Sequence, residues 1–279
     1  MDAMTVRRAL VHSGLVPIDA QVVLAHVLGR DRGWLVAHPE APLTREQADA
    51  FFGLAKRRRD GEPVAYLTGT REFWGLSLRV TPAVLVPRPE TETLVEAALA
   101  RLPADRDLRV LDLGTGSGAI ALALAHERPR ARVAATDIAA DALALAQDNA
   151  LRLGVANVEF LRSDWYAALG DQAFDAIVAN PPYVASGDPH LVDGDLRFEP
   201  VAALTPGGDG LAALRIIVAG AAQRLLPGGY LLVEHGFDQS NAVRELFIAA
   251  AFEDVRSYRD LAGIHRVMAG RLRVNVPSG

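Results

Sequence analysis

The apolar positions change period twice along the chain. Up to about residue 70 they recur at helical spacing. Ala3 to His12 is a short amphipathic run, and positions 22, 23, 25, 26 and 28 mark a second helix with Pro17 in its first turn. Thr44 followed by Gln47 is a capping-box pattern, opening a helix that runs to Arg59. Phe73 to Val80 then alternates around Gly75, which predicts a hairpin or a linker strand pair. Pro89 suits a helical first turn and Glu90 and Glu92 suit a helix N-terminus, so the next helix runs to Ala100.

From residue 108 short apolar runs alternate with helical stretches. Strands are predicted over 110–113, 133–137, 158–161, 174–179, 230–234, 252–258 and 264–269. Helices are predicted over 118–126, 139–153, 210–225 and 239–250, with a turn at Pro227-Gly228-Gly229. Alternation of this kind implies a parallel, doubly wound α/β sheet. The last two strands, joined by a short loop containing Gly263, must be antiparallel to each other. Residues 184–208 carry no periodic pattern, and a loop of that length inside a compact domain is more often functional than idle.

The chain has 279 residues, half of them hydrophobic and 23% charged, enough for two domains and a large core. A net charge of −5 and a pI near 5.8 argue against affinity resting on broad phosphate neutralisation. Without cysteine there are no disulfides, thiolate metal sites or cysteine nucleophiles, which suits a reducing cytoplasm. Neither a signal peptide nor a stretch of membrane-spanning length is expected. Lys56-Arg57-Arg58-Arg59 reads either as a solvated helix end, favoured by the helix dipole, or as a docking patch for an anionic partner.

Chemistry concentrates after the strands. Gly114-Thr115-Gly116-Ser117-Gly118 joins the first long strand to its helix, allowing a tight turn and close approach of a ligand to the backbone. Asp137 ends the next strand, where an acid binds ribose hydroxyls; it would also serve as a helix cap. Together they point to an adenosine-containing cofactor. Ser163-Asp164-Trp165 follows the third strand; Asp164 either caps a helix or flanks an adenine with Trp165. Asn180-Pro181-Pro182-Tyr183 follows the fourth. Two prolines fix φ, donate no N–H and hold Asn180 extended at the strand tip. The Asn oxygen, the proline carbonyls and the ring make a clamp for a planar amino group. Alone, the motif is also a strand-ending turn.

The glycine loop, the acid and the clamp resemble class I S-adenosyl-L-methionine-dependent methyltransferases that modify planar amino groups. Further segments are similar to the PrmC/HemK family of peptide chain release factor N5-glutamine methyltransferases. These are Glu62 to Gly69, Phe73-Trp74-Gly75-Leu76, Val86-Pro87-Arg88-Pro89-Glu90-Thr91-Glu92, Gly207 to Leu211, and Asp260 to Gly263 followed by Arg266. Trp74 stands where the family often carries tyrosine.

The resemblance implies a Rossmann-like seven-stranded sheet with a small N-terminal helical domain. The domains would be 1–70 for substrate docking, 71–86 as hairpin or linker, and 87–279 for methyl transfer. Gly114, Thr115, Gly116, Ser117, Gly118 and Asp137 would hold the methionine and ribose parts of S-adenosyl-L-methionine, Trp165 would lie near the adenine, and Asn180 would touch cofactor and substrate. Asn180, Pro181, Pro182 and Tyr183 would bind the glutamine of a Gly-Gly-Gln tip in class I release factors, with Asn180, Pro181 and Tyr183 catalytic. No metal, membrane or nucleic-acid substrate is implied.

The clamp also suits the exocyclic amine of adenine, but such an enzyme needs base flipping and a basic groove, against which the acidic pI weighs. A glutamine of a ribosomal protein is a closer alternative. A cofactor-binding scaffold with a dead site predicts a broken clamp, and a dehydrogenase leaves residues 180–183 without a task.

Overall fold

The computed structural model describes residues 3–192 and 194–274. They divide into two compact units, one of residues 3–70 with 192 and 194–198, the other of 71–191 with 199–274.

The first unit is helical: α1 (Val6–His12), α2 (Pro17–Leu28), α3 (Arg32–Ala37), α4 (Arg45–Arg59) and α5 (Val64–Thr68). Pro17 is indeed a first-turn residue, and both bonds of the Thr44–Gln47 capping box form. Helices α3 and α5 are too short to show a period of their own. Val6, Val23, Leu24, Leu35, Phe51 and Leu67 form the core. The basic run is spent internally: Lys56 pairs with Asp60 and Arg57 with Glu62, while Arg59 donates to the Ser13 carbonyl. Arg58 lies between Asp19 at 2.7 Å and Asp195 at 2.6 Å, the latter from the 192–198 segment.

The second unit opens with a hairpin, β1 (Thr70–Phe73) and β2 (Leu76–Arg79), turned by Trp74 and Gly75 at positive φ. A 3-10 turn, Pro89–Thr91, leads into α6 (Glu92–Leu99). Then follow β3 (Arg109–Leu113), α7 (Ala119–Glu127), β4 (Arg132–Asp137), α8 (Ala140–Leu153), β5 (Val158–Arg162) and β6 (Phe174–Ala179). After α9 (Val201–Leu204) come α10 (Ala212–Ala221), β7 (Leu225–Glu234), α11 (Ser240–Ala249), β8 (Glu253–Arg259) and β9 (His265–Arg271). The sheet order is β5-β4-β3-β6-β7-β9-β8, parallel except where β9 runs against β7 and β8.

Two expectations are corrected. Pro227-Gly228-Gly229 is not a turn before a strand; it lies within β7, where the pairing with β6 shifts between Phe174 and Ala176. Gly229 is needed there because a Cβ would sit 2.9 Å from the carbonyl oxygens of Asp175 and Leu226. Residues 184–208 are not wholly irregular either. They contain the 3-10 turns Pro189–Val192 and Gly194–Phe198 as well as α9, each too short for periodicity to reveal.

Among the described residues no helix is long and apolar enough to cross a membrane.

Candidate active site

Strand register sets the site. Leu113 pairs with Thr136 on one side and Ala179 on the other; Asp137 pairs with Arg162, and Ala179 with Val233. The residues at the carboxyl edge are therefore Ser163, Asp137, Gly114, Asn180 and Glu234, from five adjacent parallel strands. Strand order reverses between β3 and β6, because successive connections from there run to opposite sides of the sheet. That is where a crevice opens in doubly wound sheets.

The crevice is a cavity of about 280 Å³ lined by Gly114 to Ser117, Asp137, Asp164, Trp165, Asn180 and Pro182, among others. Gly114 and Gly116 have positive φ, and a Cβ on Gly116 would meet nothing within 4 Å. The loop thus offers bare backbone to the cleft. Asp137 Oδ2 accepts from Gly116 N and Oδ1 from Ala139 N, each at 2.9 Å. Capping and ligand-facing roles coexist, since each oxygen keeps a lone pair for a hydroxyl. Trp165 presents its ring at φ 46°, a conformation an L-residue adopts only when its surroundings hold it. Beneath the loop, Asp112 accepts from Thr115 Oγ1 at 2.7 Å and Ala121 N at 3.2 Å. Burial pushes its carboxyl up to about 7, against those two bonds.

Gly118 does not line the cavity. It caps α7 at φ 86°, and a Cβ there would press on Leu122 and Ala146 at 3.0 and 3.2 Å. Its missing side chain serves the close approach of α7 and α8. Pro181 and Tyr183 also fall outside the lining: Pro181 is buried, and the Tyr183 hydroxyl turns inward to Glu234 Oε1 at 3.2 Å.

Asn180 Nδ2 donates to Thr91 Oγ1 at 3.1 Å, and among the described residues its Oδ1 makes no hydrogen bond. The Tyr183 carbonyl accepts from Gln239 Nε2 at 2.9 Å. A Cβ on Gly210 would drive into that same carbonyl oxygen. Arg88 also lines the cavity, ion-paired to the buried Glu199, which in turn accepts from Val86 N at 3.2 Å.

Glu199 and Glu234 were not singled out from the sequence, and Arg88 and Thr91 entered only as members of the Val86–Glu92 segment, with no role in the site. Glu234 carried a usable signal, an acid ending an apolar strand run, the same one that marks Asp137.

Residues 6–69 match the PrmC N-terminal domain and residues 91–261 the methyltransferase small domain. The release factor glutamine methyltransferase of Escherichia coli (strain K12) is 52% identical over 253 residues, 91% of each chain. The chain belongs to the release factor glutamine methyltransferase family. The Bordetella pertussis member is 53% identical over 264 residues, 94% of this chain and 97% of its own. The solved methyltransferase of Pyrococcus furiosus shares the fold, with a TM-score of 0.54 at 19% identity over 72% of this chain and 90% of that one. The seven-stranded sheet and the N-terminal helical family match agree with the expected fold class.

The cofactor of this family fits the residues present. The glycine backbone, a carboxylate with spare acceptors and an indole face one cleft. Asp137 and Asp164 set an acidic field that favours a cationic ligand.

Proposed function

We propose that the protein transfers a methyl group from S-adenosyl-L-methionine to the N5 amide nitrogen of the glutamine in the Gly-Gly-Gln motif of bacterial class I release factors, in the cytoplasm. The carrying observation is the register that sets Gly114 beside Asn180. A backbone cradle for the cofactor and a clamp for a planar amide thereby stand on neighbouring strands. The relatives named release factor glutamine methyltransferase support the choice of an amide over a nucleobase.

Gly114 to Ser117 would hold the methionine part, Asp137 the ribose hydroxyls, and Trp165 with Asp164 the adenine. When bound, the cofactor supplies an electrophilic methyl on a positively charged sulfur. The protein must do the rest, because a glutamine nitrogen is a poor nucleophile whose lone pair is shared with its carbonyl. Asn180 Oδ1 and the Pro181 carbonyl accept the two N–H bonds and set the nitrogen in line with the methyl. Orientation of this kind is worth roughly 7–11 kcal/mol in the best intramolecular cases. As the nitrogen gains positive charge, the same acceptors stabilise it without reorganising. They are neutral carbonyls, so the released proton goes to water. Pro182 closes the cavity wall behind the clamp. The helical unit is the docking surface for the release factor body.

Incubation with methyl-labelled S-adenosyl-L-methionine and three acceptors tests this: an unmodified release factor, a ribosomal protein mixture and an adenine-containing oligonucleotide. Label is expected on the Gly-Gly-Gln peptide. Label on the oligonucleotide alone overturns the reading.

A further inference from the structure

Glu234 takes no part in the mechanism above, yet it is the register neighbour of Asn180 and only 1% exposed. Tyr183 donates to its Oε1, while Oε2 is buried and accepts no hydrogen bond. Thr91, the residue that Asn180 Nδ2 bonds, lies beside the same carboxylate and favours its charged form. A hydroxyl has one hydrogen and two lone pairs. Since Thr91 Oγ1 receives the Asn180 Nδ2 hydrogen, its own proton is left to donate, and the acceptor it faces is Glu234.

We propose that Glu234 is a positioning residue for the amide clamp: through the hydroxyl of Thr91 its carboxylate fixes which end of the Asn180 carboxamide faces the substrate. The relay has a direction. With Glu234 ionised, protons point from Asn180 to Thr91 to Glu234, so Oδ1 faces the cleft as an acceptor. With Glu234 protonated, its own hydrogen points at Thr91 Oγ1, and Thr91 turns its proton toward Asn180. The carboxamide then rotates and presents Nδ2, a donor set against the donors of a substrate amide. The ionised carboxylate also receives the Tyr183 hydroxyl, so both side-chain ends of the motif rest on one group.

The groups around Glu234 make this switch accessible. Burial pushes its carboxyl up to about 7; hydrogen bonding from Thr91 and Tyr183 and the charge of Arg266 oppose the rise, and Glu90 adds to it. Arg266 is shared with Asp260 at 3.2 Å. His235, the residue after the strand, is held below the usual histidine range by burial, and the Tyr183 hydroxyl is raised far above the neutral range. Asp112, under the glycine loop, titrates in the same region as Glu234, so the variants below are needed to separate the two.

The inference rests on the amide reading, and one arm of its test needs no substrate. In that arm, the side-chain amide resonances of Asn180 are followed by ¹⁵N–¹H NMR between about pH 5.5 and 8.5. They are expected to titrate with an apparent pKa of about 7 in the wild type. They should be flat in Glu234→Gln and in Thr91→Val, which breaks the relay while leaving Glu234 in place.

In the kinetic arm, the wild-type kcat rises with pH through the same midpoint. Thr91→Val loses about 30-fold in kcat, in the range expected for a misoriented reacting group. Thr91→Ser, which keeps the hydroxyl, recovers most of it. Glu234→Gln loses about tenfold and the pH limb with it, and cofactor Kd stays within about twofold in all three. A wild-type Asn180 amide that does not titrate, or a Thr91→Val enzyme with wild-type kcat, overturns the proposal. If the amide titrates as described but no release factor is labelled, the relay stands and the substrate assignment falls.

Discussion

At the Gly114–Ser117 end of the cleft, what faces a ligand is backbone, and its course is set by φ and ψ, with the N–H groups of Gly114 and Thr115 tied to the Thr136 carbonyl and that of Gly116 to Asp137. Gly114 and Gly116 hold positive φ, and one carboxylate, Asp137, pins the loop. At the Asn180 end the functional groups sit on side chains. Two prolines fix the backbone there, but they leave the Asn180 carboxamide free to turn about χ2. Among the described residues the partner that restrains it is brought from elsewhere, Thr91 from the turn before α6, while Glu234 and Gln239 around β7 hold the Tyr183 hydroxyl and carbonyl. A backbone-built site needs permissive residues. A side-chain-built site needs a second layer to hold the first.

The sharpest way to break this contrast is Asn180→Ala. It removes an acceptor that matters only to the reacting nitrogen. Turnover is expected to fall by about 10³-fold, similar to removing a preorganised transition-state donor, while cofactor affinity by calorimetry changes less than about threefold. A variant with wild-type kcat would sink the clamp.

Next is Gly116→Ala at the other end. A Cβ there meets nothing, so the penalty is backbone strain alone, on the order of 1–2 kcal/mol. Cofactor affinity is expected to drop about tenfold, with kcat at saturating cofactor near wild type. If kcat fell and affinity held, the two ends would not divide labour as described.

The smallest effect tests Asp112. Its folded pKa is raised above its ordinary value of 3.8 to about 7. Between those values an unfolded chain releases the proton while the folded one keeps it, so this group's contribution to stability is lost as pH rises through that window. Relative to wild type, Asp112→Asn should therefore gain stability between about pH 4 and 7, by at most about 1.4 kcal/mol per pH unit, and not above. Denaturant unfolding at several pH values reads this as a difference. The carboxyls of Asp107, Asp209 and Asp260, which are held low and act with the opposite sign, cancel out.

The backbone-built end was largely legible in the sequence. Apolar runs mark β3 and β4, glycines mark the loop, and an acid closes the next strand; all of this is local. Even so, sequence alone does not show that Gly118 also packs closely against Leu122 and Ala146. The side-chain-built end was legible only in its first layer. Asn180 meets Thr91 across 89 residues, Tyr183 meets Glu234 across 51, and Arg88 meets Glu199 across 111. No periodicity carries such pairings; they follow from strand order. Pro227-Gly228-Gly229 misleads for the same reason, since composition marks a turn while the bonds of Gly228 and Gly229 to Leu272, at the end of β9, keep the segment in the sheet.

The ion pairs of Arg58 have a consequence for synthesis. Asp19 precedes it by 39 residues and Asp195 follows it by 137. At roughly 5–20 residues per second, Asp195 leaves the ribosome about 7 to 27 s after Arg58. For that interval the nascent helical unit holds a guanidinium with only one of its two carboxylates. The first part of the protein to be made is therefore among the last to be completed.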